Sequence, residues 1–151
     1  MKTPLQKVRR WLKEKGFELE LRRGLVWQTN LTEKRLTGDP TSMLDYPLNE
    51  AEKLAMLLHE CGHVDRQRLV VQLGTPWDND LLATGKKRTS AWYIAVVREE
   101  MDAWDAADRL AKRLALKGLS RAMARMRRKC LMTYIGWAAQ RGDSISGTIK
   151  K

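Results

Sequence analysis

Histidine, cysteine, phenylalanine and proline are all scarce in this 151-residue chain, with two, two, one and four copies respectively. Two cysteines, Cys61 and Cys130, cannot build a disulfide framework, and reduced thiols in a reducing compartment are the simpler expectation. Long apolar runs are missing as well. The start, "MKTPLQKVRRWLKEKG", alternates charged and apolar residues, and nothing later approaches the length of a membrane span. These absences point to a soluble, cytoplasmic protein. Acidic residues thin out toward the C-terminus. From Ala106 onward there are twelve Lys or Arg against Asp108 and Asp143 alone, and this stretch holds most of the formal net charge of +11. Such a surface suits a polyanionic partner, nucleic acid, anionic lipid or an acidic protein, or it is a solvated face that keeps the chain soluble.

What is present reads as one globular domain. Hydrophobic residues make up 43% and charged residues 31%, within the range of packed soluble domains. Thr3, Pro4 and the spacing of Leu5, Val8 and Leu12 predict a first helix that Gly16 stops. "FELEL" (17–21) alternates as a strand does, "RRG" turns the chain, and "LVWQTN" (25–30) follows as its partner strand. "EKRLT" is a third, short strand before the "GDP" turn, and "SMLDYP" is extended because Pro47 keeps Tyr46 out of helical geometry. Asn49 and Glu52 form a capping-box pattern that opens a helix from about Glu50 to Arg66 or slightly beyond. "LGTPWDNDLLATGKK" is a loop. Ser90 caps a long helix running to about Lys117 with Gly118 as its stop, and Ser120 begins a last helix that Gly142 ends. The fold class is α+β: a helix, a small three-stranded sheet, then three helices. The domain spans 1–142 and includes the basic C-terminal helix, with 143–151 as a flexible tail.

Both histidines lie in "LLHECGHV", four positions apart. A helix advances by about 100° per residue, so His59 and His63 sit about 40° apart on one face, the geometry in which two imidazoles hold one zinc ion. Glu60 stands one step round, able to reach a water on the metal rather than the metal itself. Cys61 points away from His59 and reads as a small core residue, and Gly62 permits close approach of another helix. The alternative is a solvent-facing His–Glu–His stripe with no metal.

Catalytic zinc usually takes three protein ligands and keeps one position open. With no third histidine, the remaining ligand is a carboxylate, cysteine or tyrosine. In "SAWYIAVVREEMDAWDAADRLAKRL" the residues Trp92, Val96, Val97, Ala103, Trp104, Ala107, Leu110 and Leu114 trace one apolar stripe, and Glu100 falls inside it. A carboxylate facing a core needs a charged partner, which a zinc ion on His59 and His63 would be. A buried salt bridge from Glu100 to an arginine is the competing reading. Glu99 lies about 100° round, nearer the polar flank. Glu99 and Asp102 are fallback ligands, and Asp105 is a candidate acceptor for orienting a histidine ring.

"HECGH" followed by a helical glutamate resembles the zincin metallopeptidases, in the gluzincin branch where Glu is the third ligand. The nearest shape is the small ImmA/IrrE-type domain of phages and mobile elements, whose later helix carries E-x-x-A and then a larger residue. "EMDAW" (100–104) fits that pattern. The resemblance covers roughly residues 25 to 110; the first and last helices lie outside it. Gln67, four after His63, rules out the His-rich metzincin pattern, and Cys61 replaces a usual leucine. The resemblance implies that His59, His63 and Glu100 bind Zn²⁺, that Glu60 acts as general base on the metal-bound water, and that the reaction is peptide-bond hydrolysis in a protein substrate. It also implies a substrate strand added to a sheet edge, supplied by "KRLTGD" or "TSMLDY", and an oxyanion donor among Tyr46, Tyr93 and Tyr134.

In the last helix Arg121, Arg125 and Arg128 share one face, with Arg127 and Lys129 beside them. Leu119, Met123, Met126, Cys130, Ile135 and Trp137 are free to turn inward. No helix-turn-helix, zinc-finger or RNA-binding motif is legible. The competing function is therefore a non-catalytic nucleic-acid- or partner-binding protein on a zincin-like core. A metal phosphohydrolase of the HD type would need further histidines that the chain lacks.

Overall fold

The computed structural model describes residues 1–43, 45–66 and 90–149. Helix α1 (Pro4–Glu14) opens on a reciprocal cap. The Gln6 N–H donates to Thr3 Oγ1, and the Thr3 N–H donates to Gln6 Oε1. Its end is a Schellman arrangement. Gly16 adopts φ +81°, and the Phe17 N–H returns to the Leu12 carbonyl at 2.9 Å. The predicted inward residues Val8 and Leu12 are fully buried, and Trp11 joins them.

Strands β1 (Glu18–Leu21), β2 (Gln28–Asn30) and β3 (Arg35–Gly38) make a three-stranded sheet in the order β1-β3-β2. The expected β1–β2 pairing does not occur. β3 inserts between them, parallel to β1 and antiparallel to β2. The reason is the tight turn after β2: the Glu33 N–H closes on Asn30 Oδ1 at 2.9 Å, and Lys34 takes φ 53°. That turn makes β2 and β3 the hairpin, and β1 takes the remaining side of β3. "SMLDYP" contributes a second, two-stranded ribbon, β4 (Ser42–Met43) with β5 (Tyr46–Pro47).

Helix α2 (Glu50–Asp65) has the capping box read from the sequence: the Glu52 N–H donates to Asn49 Oδ1, and the Asn49 N–H donates to Glu52 Oε1. Every residue from Leu54 to Val64 is buried. A helix covered on all sides is a core helix, and α2 touches α1, β2, and both later helices, α3 (Ser90–Arg113) and α4 (Ser120–Ile149). Cys61 lies in that core, as expected. Gly62 is where α2 and α3 cross, because a Cβ there would collide with the Ala103 carbonyl.

Three helix boundaries differ from expectation. Ser90 is already helical rather than a cap. α3 stops at Arg113 instead of near Lys117, because Ala115 takes φ 52° and the Leu116 N–H bonds back to the Ala111 carbonyl at 2.9 Å. Gly118, at φ +75°, then serves the turn into α4 rather than ending α3. α4 runs through Gly142 to Ile149, so the backbone of 143–149 is helical where a tail was expected. A glycine inside a helix costs only about 1 kcal/mol relative to alanine, too little to stop it unaided. The expected loop over residues 73–87 lies outside the described residues. The class is α+β, and among the described residues no helix is long and apolar enough to cross a membrane.

Candidate metal centre

α2 and α3 meet along the faces that carry the histidines and Glu100. The close approach at Gly62 and Ala103 sets their separation. Glu100 divides its carboxylate between the two imidazoles: Oε2 is 2.8 Å from His59 Nε2, and Oε1 is 3.2 Å from His63 Nε2. One ligand atom from each of these residues falls within 4.8 Å of the others. All three side chains are buried, at 4%, 5% and 1% exposure for His59, His63 and Glu100. They are buried and close enough to one another to hold a single metal ion.

The surroundings fit a cation. Glu60, Glu99 and Glu100 are all buried, yet among the described residues only Glu99 of the three meets a guanidinium. Arg66, the C-cap of α2, donates Nε and Nη2 to the two Glu99 oxygens at 2.9 and 3.1 Å, and Nη2 also reaches Asp102 at 3.1 Å. Burial opposes charge on Arg66, but these acids outweigh it and raise its pKa. Glu60 and Glu100 are left facing two imidazoles, an arrangement that a divalent ion would neutralise. Without one, histidine takes the charge. Burial disfavours protonation of His63, but the Glu100 carboxylate prevails and lifts its pKa to about 9. Burial likewise raises Glu100, but His63 and His59 hold it well below the ordinary carboxylate range.

Two contacts fix His59. Its ring stacks on Trp104 with centroids 4.4 Å apart and planes 6° from parallel, and it meets the His63 ring edge-on at 4.8 Å. Its Nδ1 is buried without a hydrogen-bond partner among the described residues, the Glu60 Oε1 lying at 3.7 Å. Asp105 does not orient either ring. It binds Arg127 at 2.8 Å instead, because its position on α3 turns toward α4.

No family model, curated protein or solved structure matches this chain.

The structure separates the three tyrosines. The Tyr46 hydroxyl donates to Glu52 Oε2 at 3.0 Å, and Tyr93 lies edge-on to Trp92 at 5.1 Å. Tyr134, on α4, donates its hydroxyl to Glu100. Burial, then the Glu100 and Glu60 carboxylates, push its pKa far up, so it stays neutral. Cys130 is also within the field of those carboxylates, and burial lifts its thiol to about 12. Glu99 and Asp102, the fallback ligands, belong to the Arg66 network, and Glu99 is buried rather than on the polar flank. The arginine that could have claimed Glu100 is taken one residue earlier.

Sequence reasoning missed Thr29. Its hydroxyl sits 2.7 Å from Glu60 Oε2 and 3.0 Å from the Glu60 carbonyl oxygen. A signal was present: Leu25, Trp27, Thr29 and Leu31 alternate with exposed neighbours up to Gln28, which makes Thr29 a polar residue in an inward-facing row. The proposed substrate edges need correction too. "KRLTGD" contains β3, the central strand, whose two edges are occupied, and "TSMLDY" forms its own ribbon. The sheet edge beside α2 is β2. Leu119, just before α4, and Met123, Met126 and Cys130 within it are buried as expected, while Ile135 is 48% exposed. Trp137 lies outside the described side chains.

Proposed function

We propose that this chain is a zinc-dependent peptidase with a minimal zincin-like domain. The reading is carried by the convergence of His59, His63 and Glu100 from two helices, with Glu60 beside them and unclaimed by any arginine or lysine among the described residues. Two imidazoles and one carboxylate are the donor set of peptidase zinc sites. Bound there, zinc supplies Lewis acidity toward water and toward the carbonyl of a peptide bond.

The chain's own residues do the rest. A protein segment adds as a strand along the outer edge of β2, with backbone hydrogen bonds giving affinity and alternate side chains giving selectivity. Glu60 accepts a proton from the attacking water at its carboxylate. The water oxygen bonds to the carbonyl carbon, the C–N bond breaks, and Glu60 returns the proton to the departing nitrogen. The Tyr134 hydroxyl, neutral and beside Glu100, would turn its one proton from Glu100 to the oxygen that gains negative charge. A buried glutamate of this kind serves no evident packing purpose, which favours chemistry over a merely structural core.

Metal analysis with a Glu60→Gln variant tests this. Purified protein is expected to carry about one zinc per chain. Glu60→Gln should keep the metal while losing cleavage of a mixed fluorogenic peptide library by at least ~100-fold. A protein that folds without retaining zinc, or a Gln variant as active as the parent, would overturn the reading.

A further inference from the structure

We infer that Thr29 is a positioning residue for Glu60, fixing which carboxylate oxygen performs the proton transfer. The inference rests on the peptidase reading above and assigns a second element, the edge strand, to its machinery.

The two oxygens of Glu60 are not equivalent. Oε2 accepts from Thr29 at 2.7 Å, a short contact of the charge-assisted kind. Among the described residues Oε1 has no such tie, and His59 Nδ1 stands 3.7 Å from it. A carboxylate anchored at one oxygen cannot spin about its last torsion, so the other keeps a single direction. Here the free oxygen is the one on the histidine side. The anchor also survives the reaction. Once Oε1 carries the proton, Oε2 becomes a carbonyl-type oxygen that still accepts from the same hydroxyl. One hydroxyl has one proton, so the second acceptor nearby, the Glu60 carbonyl at 3.0 Å, competes only weakly with the closer, charged oxygen.

The position of Thr29 adds to this. It is the middle residue of β2, paired with Leu36 of β3. β2 is the sheet edge against α2, where an incoming strand would lie. One three-residue strand thus aligns both the substrate backbone and the base. Nothing comparable holds Glu60 from α3 or α4 among the described residues.

A hydroxyl that only fastens strand to helix would affect stability alone, so the test separates orientation from folding. Thr29→Val keeps the shape and removes the donor; Thr29→Ser keeps the donor. Both are loaded with zinc and assayed on the fluorogenic peptide library, with metal content and melting temperature measured alongside. Thr29→Val is expected to hold zinc as the parent does and to lose kcat by about 10- to 100-fold at nearly unchanged KM. Thr29→Ser should recover to within ~3-fold. A second readout needs no turnover: acetohydroxamate, a metal-directed acid whose proton passes to the general base, should bind the zinc-loaded Val variant about tenfold more weakly, as it should Glu60→Gln. Equal kcat and equal acetohydroxamate affinity in parent and Val variant, or no rescue by serine, would overturn the role of Thr29 and leave the peptidase reading standing. Failure of the parent itself to bind zinc would overturn both.

Discussion

Glu99 and Glu100 are neighbours in sequence, equally buried, and matched to different partners: an arginine for one, two histidines for the other. Their substitutions should therefore diverge. Glu100→Ala is expected to abolish zinc retention, read by metal analysis. Glu99→Ala should keep the metal and lose about 2–4 kcal/mol in urea unfolding, because Arg66 then stays largely buried without its main partner. The same local electrostatics set a pH dependence in the metal-free protein. His63, raised from 6.5 to about 9, stabilises fully below about pH 6.5, and that contribution fades as pH climbs through about 9. Glu100, depressed from 4.5, stabilises above about pH 4.5 and is lost only as pH falls well below it. Melting temperature should thus be highest between about pH 4.5 and 6.5 and decline toward pH 9, with the decline absent in Glu100→Gln. Since metal binding requires neutral imidazole, apparent zinc affinity should move the opposite way, rising with pH until about 9.

At the scale of elements, the crossing of α2 and α3 makes the centre. The histidines share a face by helical spacing alone, but Glu100 reaches them only because Gly62 lets Ala103 of α3 come close. Gly62→Ala is expected to force the helices apart. It should cost about 1–3 kcal/mol in denaturant unfolding and weaken zinc binding more than an equally destabilising change elsewhere, with isothermal titration as the check. Caps were legible in the sequence because they are local. The Thr3 cap and the Asn49–Glu52 box were both read from the sequence, and the structure adds that Gln6 closes a box with Thr3. The end of α3 was not legible. Ala115 takes the left-handed conformation that Gly118 was expected to supply, since packing of Leu116 and Leu119 draws the chain inward first. Strand order was hidden for a related reason: each residue of β1 pairs with one 17 positions later in β3, and that parallel pairing is a tertiary choice.

Across the whole molecule, charge is more committed than composition suggested. Arg125 pairs with Glu52 at 3.3 Å, Arg127 with Asp105 at 2.8 Å, and Lys129 sits 3.9 Å above the Tyr46 ring. Arg121 and Arg128 make no ion pair among the described residues. Meanwhile the Lys7 ammonium donates to the Leu114 carbonyl at 3.3 Å, which sets the basic helix α1 beside the basic turn between α3 and α4. That contact places Lys7 of α1 against the turn that follows α3. Duplex DNA followed by fluorescence anisotropy should bind in low salt and weaken steeply as salt rises. The double variant Arg121→Ala/Arg128→Ala should reduce that binding without changing the melting temperature, whereas Arg125→Ala should lower the melting temperature first. No binding at low salt would leave this surface with a solubilising role only.

The sequence by itself determined whatever depends on neighbours along the chain. It set the helix that carries His59, Glu60 and His63, the core direction of Cys61, the inward stripe that selects Glu100, the Thr3 cap and the Asn49–Glu52 box. These follow from fixed angular steps and from hydrogen bonds that close within one turn. Tertiary structure decided whatever depends on which faces meet. It placed β3 between β1 and β2, gave Arg66 to Glu99 rather than Glu100, brought Tyr134 to Glu100, and set Thr29 on Glu60. Those contacts join residues 31 or more positions apart in the site, and only the packed arrangement of the elements fixes such distances.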